Sequence, residues 1–208
     1  SIYTMLINNP LFNVDGSAVI SNNQLKIKYL NGTSIRKKSN EKLEKLDNLS
    51  VTGSIDFTKF FEPDYNLLIN SINNRNIFID AIPIDLEGNL DSLNILISGR
   101  DTVNISGLIE AVDAKIFHEF ISEDIGGTLV EDEGIVMSYS LNIPIKDEGK
   151  FQNSQVDAIM IGEISLSKIG NQFWNIGGEV YIENGSILSF KDNFTGLNGY
   201  VTFDNNGI

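Results

Sequence analysis

One short pattern recurs six times along the 208-residue chain: an apolar residue, a spacer, Gly, a spacer and an apolar residue, usually with another two places later. The copies are Val51-Thr-Gly53-Ser-Ile55-Asp-Phe57, Leu86-Glu-Gly88-Asn-Leu90, Ile105-Ser-Gly107-Leu-Ile109-Glu-Ala111, Met160-Ile-Gly162-Glu-Ile164-Ser-Leu166, Ile176-Gly-Gly178-Glu-Val180-Tyr-Ile182 and Leu197-Asn-Gly199-Tyr-Val201-Thr-Phe203. In each, the apolar residues and the shared glycine have one parity, while Thr, Ser, Asp, Glu and Asn fill most of the other. Successive strand side chains point to opposite faces, so the pattern predicts a row of β-strands with one apolar and one wetted face. Function then turns on what covers the apolar face.

Stretches of strand length bounded by Asn, Gly, Asp and Ser recur from end to end, the punctuation of antiparallel hairpins. Expected strands include Gln24 to Leu30, Asp64 to Asn70, Asn76 to Ala81, Ile84 to Leu90, Leu93 to Ser98 and Val103 to Val112. The longest alternation runs through Ile135, Met137, Tyr139, Leu141, Ile143 and Ile145, and a long hairpin is expected to join Ala158–Ser167 to Phe173–Glu183. Helical spacing is read at Asn40–Asp47 and at Asp113–Ser122. Residues 34–48 are expected to form a loop or short helical insertion, with Ser34–Glu41 its mobile part.

About 15 strands are expected in all, and open sheets beyond roughly 10 strands curl, split into two layers or close. A closed barrel, a two-layer sandwich and a long sheet bent into a trough all hide one face. Near-identical repeated units argue mildly against a Greek-key sandwich. The whole of residues 1–208 reads as one continuous β-repeat region. Opening on Ser1 within a strand-like stretch and closing on the turn-like Asp204-Asn-Asn-Gly207, it is expected to be a section of a longer chain.

Acidic residues outnumber basic ones by 28 to 15, giving a formal charge of −13 that repels phosphate backbones and argues against nucleic acid as a partner. There is no cysteine, hence neither a disulfide framework nor a thiolate metal site. No apolar run approaches the roughly 20 residues that a membrane helix needs. His118 is the one histidine, which leaves little from which to build a triad or a His-rich metal centre. Glu131-Asp-Glu133, Asp147-Glu148 and Asp204–Gly207 read as solvated turns rather than calcium loops. Glu110, Glu163 and Glu179 fall on the polar parity, as solvated outer residues do, rather than as paired glycosidase acids. With no nucleotide loop or nucleophile motif, the expectation is a protein that is not an enzyme and needs no cofactor or metal.

Residues 159–206, with Gly162-Glu-Ile-Ser-Leu, Ile176-Gly-Gly-Glu-Val-Tyr-Ile-Glu-Asn-Gly-Ser-Ile and Leu197-Asn-Gly-Tyr-Val-Thr-Phe-Asp, resemble the repeat style of the TamB family. These translocation and assembly module proteins belong to the AsmA-like group of the bacterial envelope. The middle resembles it too, through Pro63-Asp-Tyr-Asn-Leu-Leu-Ile, Asn76-Ile-Phe-Ile-Asp, Ile84-Asp-Leu-Glu-Gly-Asn-Leu and Val103-Asn-Ile-Ser-Gly-Leu-Ile-Glu-Ala; the match spans roughly Leu49 to Asp204.

The resemblance implies an all-β half-pipe, a β-taco: a long curved antiparallel sheet with an apolar inner groove and one or two short helices. It implies a section of a protein anchored in the inner membrane and crossing the periplasm of a bacterium with two membranes. Its guests would be phospholipid acyl chains, its partner an outer-membrane assembly protein of the BamA/TamA type, and its membrane contacts would lie elsewhere in the chain. The lining expected for the groove is Val51, Ile55, Phe57, Leu90, Ile105, Ile109, Ile164, Leu166, Trp174, Ile176, Val180, Ile182, Val201 and Phe203. Glycine on the inner face is expected to let the sheet bend and to leave room. Two other readings use the same residues. An exported adhesive β-solenoid fits poorly, because the marker glycines fall at uneven intervals of 35, 19, 55, 16 and 21 residues. A carbohydrate-binding sandwich would rest on Trp174.

Overall fold

The structure, a computed structural model, describes residues 11–35, 47–73, 75–81, 84–117, 136–189 and 192–204. It is all-β: among the described residues eleven strands form one mixed sheet. They are β1 (Phe12–Ser21), β2 (Gln24–Thr33), β3 (Leu49–Asp56), β4 (Asp64–Ser71), β5 (Ile77–Ala81), β6 (Leu86–Gly99), β7 (Thr102–Ile116), β8 (Val136–Gln152), β9 (Val156–Ile169), β10 (Asn175–Ser189) and β11 (Asp192–Phe203). Their order in the sheet is β1-β2-β3-β4-β6-β7-β8-β9-β10-β11. β5 pairs with the first half of β6 and β4 with its second half, so β4 and β5 lie end to end along one long neighbour.

Short polar turns produce this meander. Asn22 and Asn23 take positive φ values of 49° and 61° between β1 and β2, the conformation that two-residue hairpins require. After β3, the Thr58 amide donates to Asp56 Oδ1 at 2.7 Å and starts the turn to β4. At the β9 to β10 turn, Gly170 has a φ of 53° and its amide donates to the Met137 carbonyl.

Four expectations require correction, three of them in the strands. The sheet is not antiparallel throughout: β7 and β8 pair in parallel, Ile105 opposite Tyr139 and Gly107 opposite Leu141. Parallel neighbours need a crossover of a dozen or more residues, which the span from Ile116 to Val136 supplies. The helix expected from Asp113 is strand as far as Ile116, because Asp113, Ala114 and Lys115 pair with Asn89, Gly88 and Glu87; its remainder, 118–122, lies outside the described residues. The segments Ile84–Leu90 and Leu93–Ser98 are not two strands. Residues 86–99 form the single strand β6, with register shifts near Leu90.

Ser34, expected to begin a mobile loop, is buried. Its amide donates to Asn48 Oδ1 and its carbonyl accepts from Asn48 Nδ2, both at 2.8 Å. Asn48 Nδ2 also reaches the Asn76 carbonyl, and the Ser34 hydroxyl donates to the Phe78 carbonyl. Burying these polar groups is tolerable because they satisfy one another, and they pin both ends of the insertion to β5. The expected helix at Asn40–Asp47 falls almost wholly on residues 36–46, outside the described ones.

The apolar parity forms one core. It is tightest over β5 to β8, where Leu90 and Ile143 have no exposed surface and Ile77, Leu86, Ile145 and Ala111 are nearly as buried. The opposite parity carries the charge. Glu110 on β7 accepts from Lys146 Nζ at 2.7 Å and from Ser92 Oγ at 2.8 Å.

Candidate functional site

At the C-terminal side of the sheet the described residues leave the apolar face partly uncovered. Ala158, Met160, Ile164 and Leu166 of β9, Ile176, Val180, Ile182 and Ile187 of β10, and Val201 and Phe203 of β11 share one face. With Phe151, Val156 and Trp174 beside them and Ile84 and Ile116 at one end, they line a half-open cavity of about 180 Å³. Among the described residues every lining side chain is apolar. An apolar cavity of ~150 Å³ stays dry and accepts benzene, so this one has room for a stretch of hydrocarbon.

Strand parity places most of these residues, and one irregularity places another. Even-numbered residues of β10 face the cavity up to Ile182. There the register against β11 shifts and Asn184 takes a φ of 50°, a bulge that exchanges the faces. Ile187, not Leu188, therefore lines the cavity.

The marker glycines have a role that parity did not reveal. All six (Gly53, Gly88, Gly107, Gly162, Gly178 and Gly199) have positive φ, between 111° and 156°. At Gly178 a Cβ would collide with the Glu163 carbonyl on the adjacent strand, and at Gly162 with that of Glu179. These positions are glycine because the backbone conformation excludes a side chain, and the expected gain of room on the inner face is not what selects them.

Trp174 stands beside the cavity, its ring 5.2 Å from that of Tyr139, with Lys168 Nζ 5.4 Å from its centre. Burial pushes the Tyr139 phenol above its ordinary value. A cation over one ring and a second aromatic against it hold the indole in place. As the chain's one tryptophan, it reports on the cavity.

The expected lining residues thus fall into three groups. Ile164, Leu166, Trp174, Ile176, Val180, Ile182, Val201 and Phe203 come together around the cavity. Leu90, Ile105 and Ile109 do not line it: they are buried in the closed core, held there by β5 to β8. Val51, Ile55 and Phe57 are half-buried and lie in neither group, and Phe57 is past the end of β3. The lining residues not singled out from sequence are Ile84, Ile116, Phe151, Val156, Ala158, Met160 and Ile187. Ala158 and Met160 share the parity of Ile164, a signal that was present. Nothing local marks Phe151 or Ile84.

Glu163 and Glu179 are exposed and sit opposite each other across β9 and β10, on the face away from the cavity. Among the described residues no three His, Asp or Glu side chains gather as metal ligands, and no helix is long and apolar enough to cross a membrane. His118 and Glu131–Glu133 lie outside them. Against known proteins, the chain matches no family model, no curated sequence and no solved structure.

Proposed function

We propose that the chain is a lipid-handling segment, with the sheet bent into a trough whose C-terminal part shelters an acyl chain. One observation carries this reading: a half-open cavity walled, among the described residues, only by apolar side chains, drawn from the five adjacent strands β7 to β11 with Ile84 and Trp174 beside them. Water gains no partner there, whereas hydrocarbon gains about 0.8 kcal/mol for each methylene removed from water. Burying about six methylenes would contribute about 5 kcal/mol, enough for weak, reversible capture and release. A cavity of about 180 Å³ takes part of one chain and not a whole two-chain lipid, so the headgroup stays in water.

The resemblance to the TamB family supports the wider setting. In that setting the segment belongs to a periplasmic bridge between inner and outer membranes, moves phospholipid along it or supports outer-membrane protein assembly, and does no enzymatic chemistry. Transfer of a fluorescent phospholipid between donor and acceptor vesicles tests the reading. The protein should accelerate transfer, and Val201→Glu, which puts a carboxylate among the lining residues, should abolish the acceleration without unfolding the sheet. No acceleration by the wild type, or an unaffected Val201→Glu, would count against it.

A further inference from the structure

The apolar cavity has two unlike ends. At one, Ile84, Ile116 and Phe151 line it with hydrocarbon, and both isoleucines are buried. At the other, beyond Leu166, the next residue of β9 on the same parity is Lys168. The pairing of β9 with β8 runs without a shift from Leu166 opposite Leu141 to Lys168 opposite Tyr139, so the lysine stays on the cavity's face. Its Nζ lies 5.4 Å from the centre of the Trp174 ring, which lines the cavity, and this places it there independently.

The cation contrasts with its surroundings. Lys168 is the one basic residue in β9, β10 and β11. The nearby acids Asp157, Glu163 and Glu179 keep to the other face, where Asp157 pairs with Lys150 at 3.3 Å and Glu163 lies opposite Glu179. Among the described residues Lys168 has no carboxylate in an ion pair, whereas Lys59, Lys146, Lys150 and Arg100 each have one. Lysine lays its methylenes along apolar surface and holds its ammonium at the water's edge. Tyr139 and Trp174, on either side of it, are the residue types that suit a boundary between hydrocarbon and water. Burial keeps the Tyr139 phenol protonated, a hydrogen-bond donor and not a second negative charge.

We propose that Lys168 is the headgroup anchor of this cavity: it selects acyl chains that end in an anion, carboxylate or phosphate, and fixes their direction, head beside Lys168 and tail toward Ile84 and Ile116. This rests on the reading above, that the cavity takes hydrocarbon, and adds the charge and orientation of the ligand. Two residues of strand set Lys168 about 7 Å beyond Leu166. A head at that point leaves the apolar walls while its first methylenes stay within them. The overall charge of −13 repels anions at long range, so the preference comes from a short-range pair alone.

Calorimetric titration of the intact chain with ten-carbon amphiphiles, kept below the concentrations at which they form micelles, tests the anchor. Decanoate, decyl phosphate or both should bind about tenfold more tightly than decanol, and decylammonium more weakly than decanol. The tighter anion identifies the head as that of a free fatty acid or of a phospholipid. Lys168→Met should bring the anions to the level of decanol and leave decanol unchanged, and Lys168→Glu should make decylammonium the preferred ligand. In the wild type, decanoate brominated beside its carboxylate should quench Trp174 more strongly than decanoate brominated at its methyl end, a comparison that needs no variant. Decanol bound as tightly as both anions, or equal quenching from the two bromine positions, would overturn the anchor and leave the cavity's affinity for hydrocarbon standing. No binding by any of the four amphiphiles would overturn both.

Discussion

The middle of the sheet and its C-terminal side carry the same alternation and end differently. Over β5 to β8 the apolar face closes on itself: Leu90 and Ile143 expose nothing. Over β9 to β11 equally apolar residues stand around a cavity, and Ile187, Leu188, Phe194 and Leu197 keep more than a third of their surface exposed. Alternation therefore specifies which face is apolar and not whether it is filled. In the middle, β4 and β5 together run the length of β6, and the parallel β7–β8 pair brings further strands alongside. Among the described residues the last strand has a neighbour on one side only.

Core truncations should separate the two regions most sharply. Ile143→Ala in the middle should cost about 2–5 kcal/mol, measured by urea unfolding, because its cavity would open inside a packed environment. Val201→Ala, beside space already present, should cost about 1 kcal/mol or less. Equal losses would mean that the C-terminal side is as tightly packed as the middle.

Backbone substitutions should show the next largest contrast. Gly178→Ala meets both an unfavourable φ and the Glu163 carbonyl, and should cost about 1–3 kcal/mol. Gly199→Ala meets the φ alone and should cost less. If the two unfold alike, the open space beside Gly199 has no energetic meaning.

The smallest effect is electrostatic and lies on the outer face. Hydrogen bonds from Lys146 and then Ser92 hold the Glu110 carboxyl below its ordinary value of 4.5. The stabilisation is present above that value and disappears as pH falls through the lower folded one. Glu110→Gln should therefore be slightly less stable than wild type near neutrality and indistinguishable from it in strong acid. The effect is small because Lys146 is largely exposed. A difference that grew on acidification would reverse the assigned cause.

Much of this fold was legible in the sequence, since strand periodicity depends only on neighbouring residues. The parity of Leu141, Ile143 and Ile145 and the hairpin from β9 to β10 follow from it directly. Nonlocal pairing was not legible. Asp113 to Ile116 have helical spacing, yet β6 supplies a ladder of partners that holds them extended. The parallel β7–β8 pair likewise depends on a crossover that no local pattern encodes. Of the expected lining, eight residues meet at the cavity, whereas Leu90, Ile105 and Ile109 have the same pattern and are sealed, because coverage is a property of the assembled sheet. Ile187 was hidden by the bulge at Asn184.

The most direct test of an open apolar groove is quenching of Trp174 by a fatty acid brominated along its chain. The indole should be quenched saturably, competed by the unbrominated acid and lost in Val201→Glu. Fluorescence that stays constant, or quenching that never saturates and survives Val201→Glu, would mean that the C-terminal side is closed to acyl chains.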